Sequence, residues 1–254
     1  MLSKSLVILA VSASGALAAT PAGFEPGSQT SLLVSFGNVA ALDGAVVARE
    51  ITQTAPTIAT QSKLDGTSFA VLMIDLDIPT DTPPETNTLL HWLQTGLTQS
   101  SSAVSLNTTM GSTSAFVLSV PEDEAFAPYI GPAPPARIPL SHRYTEIVVD
   151  TSDVSDEGLA ALEAAAATRL GFNAQSVLTS AGLADKVVAG NFFNVTNPGP
   201  ASEATASNST TGGGNGTNSN DPPSQVPVPA AANSQQASAS LLAIGMIAIS
   251  FFTL

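Results

Sequence analysis

The sequence predicts an α+β domain that is mainly β. Short runs rich in Leu, Val, Ile, Thr and Phe are bounded by Gly, Pro, Asp or Ser, the signature of strands. The connections are long and proline-bearing, notably residues 78–88 and 121–140, and loops of that length are functional or packed rather than idle. Helix signals appear only after the strands, which favours α+β over alternating βαβ units.

Taken in order, the first expected strand is 31–36. Asp65-Gly66 offers a tight turn before the most apolar strand, 69–76. Further strands are expected over 89–97, 114–120 and 144–149. A helix is expected over 156–170. Ser155 caps it, Asp156 and Glu157 occupy its positive first turn, Arg169 sits in its last turn, and Gly171 follows. A shorter helix over 174–180 has Asn173 as its cap. There is no internal repeat and no phosphate-cradling Gly-rich loop.

The ends read differently from this domain. Lys4, an apolar run and Ala16-Leu17-Ala18 form the three-part pattern of a secretory signal peptide over 1–18. At the other end the uncharged run 241–254 is shorter than the ~17–25 residues of a spanning helix. Before it come a polar spacer and the small residues Ala230 to Ala232, the order of a glycosylphosphatidylinositol (GPI) anchor signal over 233–254. The attachment residue is expected between Ala230 and Asn233. Residues 198–232, rich in Ser, Thr, Asn, Gly and Pro, read as a glycosylated stalk that has too little apolar surface to fold. Sequons at Asn107, Asn194, Asn208 and Asn215 fit secretion. The expected location is therefore extracellular, on the plasma membrane or cell wall, with the GPI anchor as the sole membrane attachment.

What remains is one domain over 19–197, large enough for a core. The whole chain has 254 residues, 7 Lys+Arg against 20 Asp+Glu and a net charge of −13. Most of that charge belongs to the domain, which has 6 Lys+Arg and 18 Asp+Glu. So acidic a surface excludes nucleic acid as a partner, since nothing neutralises phosphates along a duplex. The absence of cysteine excludes disulfides, thiolate metal sites and a thiol nucleophile.

Chemistry is sought where polar residues interrupt apolar strands. Asp75 and Asp77 close the most apolar run, and period-two alternation puts them on one face. Buried there, they need hydrogen-bond donors or a pKa shift. The two histidines are His91, inside Leu90-His91-Trp92-Leu93, and His142, inside Ser141-His142-Arg143-Tyr144. On a strand His142 and Tyr144 point one way, Ser141 and Arg143 the other. Ser141 is thus badly placed to use His142 as its base, which weakens a serine-hydrolase reading. Two histidines and an aspartate suit a divalent metal or, equally, the walls of an anion pocket. Spacing does not decide between these.

Four motifs in order resemble the phosphatidylethanolamine-binding protein (PEBP) family. They are the Asp75-Leu76-Asp77-Ile78-Pro79 block, the Leu90-His91-Trp92 strand, the segment from Tyr129 through Gly131 to Pro135, and His142-Arg143-Tyr144. The run from Val188 to Phe193 resembles the family's closing strand. The resemblance implies a central antiparallel β-sheet, a second smaller sheet and C-terminal helices. It also implies a small pocket for phosphate-like anions or phospholipid headgroups. Mapped onto this chain, the pocket is Asp75, Pro79, His91, His142 and Tyr144, with Gly131 in its rim. Asp77 and Arg143 form an ion pair that holds the loops. Leu76 stands where the family has proline and Ala133 where it has a rim glycine, so the mouth is expected to be narrow. Ser141 replaces the family residue before His142.

The functional expectation is a cell-surface binding module with no catalytic residue, no metal and no cofactor. The alternative is a serine carboxypeptidase inhibitor. That role needs a distinctive leading segment, and residues 19–29 carry none. A metal-dependent or hydrolytic enzyme built on His91, His142 and Asp75 ranks third.

Overall fold

The computed structural model describes residues 19–201. The signal-peptide expectation, nearly all of the stalk, the anchor signal and the sequons at Asn208 and Asn215 lie outside them. Nine strands form: β1 Leu33–Phe36, β2 Val39–Ala40, β3 Thr57–Thr60, β4 Phe69–Pro79, β5 Thr86–Gln99, β6 Val104–Thr108, β7 Gly111–Ser119, β8 Ser141–Asp150 and β9 Val187–Thr196. Two helices, α1 Asp156–Ala166 and α2 Ala174–Ser180, lie between β8 and β9.

All strand pairs are antiparallel, in the order β2-β1-β3-β7-β5-β4-β8-β9, with β6 attached to β7. The sheet has a larger half, β5-β4-β8-β9, and a smaller half, β7-β3-β1-β2. Strand pairing joins them where β5 pairs with β7, at Thr98 with Ser119 and Gln99 with Leu118. The chain start also docks on the last strand. Ser31 bridges Gly190 and Val46 bridges Asn194, both in parallel sense.

Two cores follow from strand alternation. On the outer face of the larger half, Ala70, Leu72, Ile74, Leu90, Leu93, Ile147 and Val149 pack against Leu162 and Ala166 of α1 and Leu178 of α2. On the inner face, Val71, Met73, Trp92, Tyr144, Val148 and Phe193 meet Val34, Phe36, Ile58 and Leu118 of the smaller half. Each fully buried aliphatic or aromatic side chain contributes about 1.5–3 kcal/mol.

The helix signals act largely as read. Ser155 Oγ accepts from Gly158 N–H, and Asn173 Oδ1 accepts from Ser176 N–H. Yet α1 stops at Ala166 rather than 170. Leu170 leaves the helix to bridge Leu89, and Gly171, at φ 75°, turns the chain away. Arg169 is therefore not a helix-end residue. Its Nη1 donates to the carbonyls of Leu90 and His91, and its Nη2 to that of Pro128. Asp65-Gly66 is not a tight turn either. Glycine is required at 66 because a Cβ there would lie 2.6 Å from Asp150 Oδ1 and 2.8 Å from the Phe69 ring.

Candidate functional site

The site grows from two departures from regular pairing. Met73 pairs with Trp92 and Ile74 with Leu90, so β5 has one extra residue, His91, at this point. Such a bulge re-aims a side chain. It turns the His91 ring onto the inner face, where it meets Tyr144 edge-on at 5.1 Å between centroids. The second departure lies between Asp75 and Ile78, where β4 has one residue more than β5. The β4–β8 ladder also ends at Asp75 with Tyr144. Pairing is irregular where the two carboxylates lie, and Asp75 and Asp77 take different partners.

Asp75 is buried at the centre. Its Oδ2 accepts from His142 Nδ1 at 2.8 Å and lies 3.9 Å from His91 Nε2, while its Oδ1 accepts from Asp77 N–H at 2.8 Å. Asp77 instead holds Arg143. The backbone N–H and Nε of Arg143 both donate to Asp77 Oδ2 at 2.8 Å, and Nη2 donates to Oδ1 at 2.7 Å. Burial alone would raise the Asp77 pKa, but these bonds and the guanidinium charge outweigh it and hold the carboxyl below its usual range. The expected Asp77–Arg143 ion pair is present.

The ring protons follow from the acceptors. His91 Nδ1 lies 2.7 Å from Ile130 O, so that nitrogen carries the proton. His142 Nδ1 likewise donates to Asp75. In the neutral His91 ring Nε2 is then a lone pair, and the Nε2 atoms of both histidines are buried without a partner, as is the Tyr144 hydroxyl. Burial lowers the His91 pKa below its usual value, against the opposing pull of the Ile130 carbonyl and Asp75. Burial, reinforced by the Asp75 charge, raises that of Tyr144. Ser141 is exposed on the opposite side of β8 from His142, and its Oγ accepts from Thr196 Oγ1.

The rim is a closed cover. Ile130 N–H and O bond the backbone and ring of His91. Tyr129 donates to Thr52 O and packs edge-on against Trp92, Gln53 Nε2 donates to Pro132 O, and Asn197 Nδ2 donates to Pro134 O. Gly131 serves this cover sterically, because a Cβ there would lie 2.8 Å from Gln53 Oε1. Beneath it His91, His142, Asp75 and Tyr144 are all at most 4% exposed. Pro79 pairs with Thr86 at the end of β4. Among the described residues no group of three or more His, Cys, Asp or Glu side chains has metal-holding geometry.

The motif order and this geometry meet in the comparison with known families. The description of the phosphatidylethanolamine-binding protein family matches residues 33–193. The chain belongs to the PEBP family. A curated relative, phomoidride biosynthesis cluster protein N of Talaromyces stipitatus, is 28% identical over 208 residues, covering 76% of this chain and 98% of its own. Solved structures similar to this chain include a carboxypeptidase Y inhibitor in complex with its cognate proteinase. It is 18% identical, with a TM-score of 0.47, over 67% of this chain and 85% of that one. A phosphatidylethanolamine-binding protein from Plasmodium vivax is 18% identical, with a TM-score of 0.44, over 65% and 84%.

Two residues of this PEBP-like domain escaped the sequence reading. Arg169 clamps β5 to the cover, and no local pattern distinguishes it from a helix-end cation. Glu146 was findable, because counting by twos from His142 and Tyr144 puts it on the same inner face. It is fully buried, and neither carboxylate oxygen has a partner. Burial pushes its pKa up to about 8.

Of the two sequons inside the described residues, Asn107 is exposed on β6 opposite Ser112. Asn194 lies within β9 and donates its Nδ2 to Gly44 O at 2.6 Å.

Proposed function

We propose that the protein is a binding protein for a small phosphate-like anion, free or as a phospholipid headgroup. The observation that carries this reading is the trio of buried, unpartnered atoms, Nε2 of His91, Nε2 of His142 and the Tyr144 hydroxyl, gathered around Asp75. Unsatisfied buried polar atoms are rare and each costs about 1–3 kcal/mol, so a ligand that satisfies them is strongly favoured. Binding rather than catalysis fits the placement of Ser141, which faces away from His142 and leaves no serine nucleophile beside it.

The tautomers dictate how the anion is taken. A lone pair cannot donate to an anionic oxygen, so His91 Nε2 gains a proton when a fully ionised oxygen binds there. Burial opposes protonation of His91, and a bound anion offsets that opposition. Binding is therefore coupled to proton uptake and tightens as pH falls through the histidine range. Titration calorimetry with phosphoethanolamine, in buffers of differing ionisation enthalpy, measures this. The expected result is net proton uptake, affinity several-fold higher near pH 5.5 than near pH 7.5, and loss of binding in His91→Ala and His142→Ala. Unchanged affinity in both variants would overturn the assignment.

The end sequences support presentation of this pocket at the cell surface by a GPI anchor. Release of the protein from membranes by a phosphatidylinositol-specific phospholipase tests that placement.

A further inference from the structure

Glu146 is the next inward position of β8 after His142 and Tyr144, with successive inward positions about 7 Å apart. It lies opposite Met73 on one side and Asn191 on the other. Neither relieves it. Met73 has no hydrogen to donate, and Asn191 is committed, its Nδ2 to Ala41 O and its Oδ1 to Asp43 N–H. Tyr129, whose ionisation burial and the Glu146 charge oppose, donates its proton to Thr52 O. Among the described residues, seven side-chain polar atoms are buried without a partner. Five of these belong to His91, His142, Tyr144 and Glu146, so the unmet hydrogen-bonding capacity is concentrated on one sheet face. One segment lies against this face, with Ile130 bonded to His91 and Tyr129 packed against Trp92.

We propose that Glu146 is a second recognition group of the same pocket. As a neutral carboxylic acid it hydrogen-bonds an uncharged hydroxyl or carbonyl on a ligand whose anionic end sits on His91, His142 and Tyr144. This inference rests on the anion reading of the site. The neutral form follows from burial without a partner, and a proton held to about pH 8 agrees with it. That form presents one O–H donor and one C=O acceptor, both unused. A carboxylate at this depth would repel the anion. Met73, Trp92 and Phe193 line the same inner face, so the span between the two polar ends is apolar. The ligand class is a small amphipathic anion with a polar group about 7 Å from its charge, one inward strand step.

The test is a matched pair of probes, butyl phosphate and the same molecule with a terminal hydroxyl, titrated calorimetrically at about pH 6, below the Glu146 range. One added hydrogen bond predicts that the hydroxylated probe binds the wild type about tenfold tighter. In Glu146→Leu the ratio of the two dissociation constants falls to about one. In Glu146→Gln, whose amide still donates and accepts, part of the preference survives. Equal affinity of the two probes for the wild type, or a ratio unchanged in Glu146→Leu, overturns this inference and leaves the anion reading intact. If neither phosphate binds the wild type, the anion reading fails and this inference fails with it. Far-ultraviolet circular dichroism of each variant confirms that a lost preference is not a lost fold.

Discussion

The two faces of β4, β5 and β8 are built from alternate residues of the same strands, yet they do opposite things. The outer face, from Ala70 through Leu72 and Ile74 to Ile147 and Val149, is closed by two helices with apolar side chains. The inner face interleaves Met73 and Trp92 with Asp75, His91, Tyr144 and Glu146, all buried. Both faces carry an apolar core, but most of the unmet polar capacity lies on the inner one.

The sharpest way to test this contrast is through Glu146. The unfolded carboxyl releases its proton near 4.5 and the folded one near 8, so between those values the folded state binds more protons. Stability then falls with rising pH through that window, at about 1.4 kcal/mol per pH unit, and levels off above it. The total is about 3–5 kcal/mol. Urea unfolding of wild type and Glu146→Leu at stepped pH should show the variant's advantage growing from pH 5 to pH 8. A constant difference would mean that the acid is solvated in the folded protein.

The matching change on the outer face is Leu178→Ala, where the leucine is fully buried under α2. It should cost about 2–4 kcal/mol, by lost burial and the cavity left behind. The loss should be the same at every pH, and a pH-dependent loss would blur the distinction between the faces. A smaller effect is expected at the boundary. Asp77→Asn removes the charge that binds half-exposed Arg143 and should cost about 1–2 kcal/mol. Because the folded Asp77 pKa lies below its unfolded value, this contribution is present above the unfolded value of 3.8 and is lost as pH falls through the folded one. Acid-induced unfolding of wild type and variant should therefore converge at low pH.

Much of this was legible in the residues. The strand runs around Phe69, Leu89 and Tyr144 are apolar enough to announce themselves, and α2 begins and ends where its Asn173 cap and pattern place it. The strands β2, β3 and β6 went unread by pattern. They are short or exposed, and their pairing partners rather than their own composition hold them. In the site, alternation correctly set His142 and Tyr144 against Ser141 and Arg143. It was silent on the partners of Asp77 and on His91, because both sit at bulges, and an extra residue in a ladder leaves no mark on the composition of either strand. The hydrogen-bonding state of the imidazoles was also out of reach, since it depends on Ile130 O, contributed from a loop far along the chain.

The bridges from Ser31 and Val46 to β9 bear on how the chain is made. Synthesis proceeds at about 5–20 residues per second, so β4 waits several seconds for its partner β8. β1 and the segment around Val46 wait longer still for β9. Until β8 arrives the most apolar strand of the protein has one hydrogen-bonding edge open, and until β9 arrives the ladder over Asp75 lacks the Phe193 wall. The nascent domain thus keeps strand edges unpaired until the last strand seals the first.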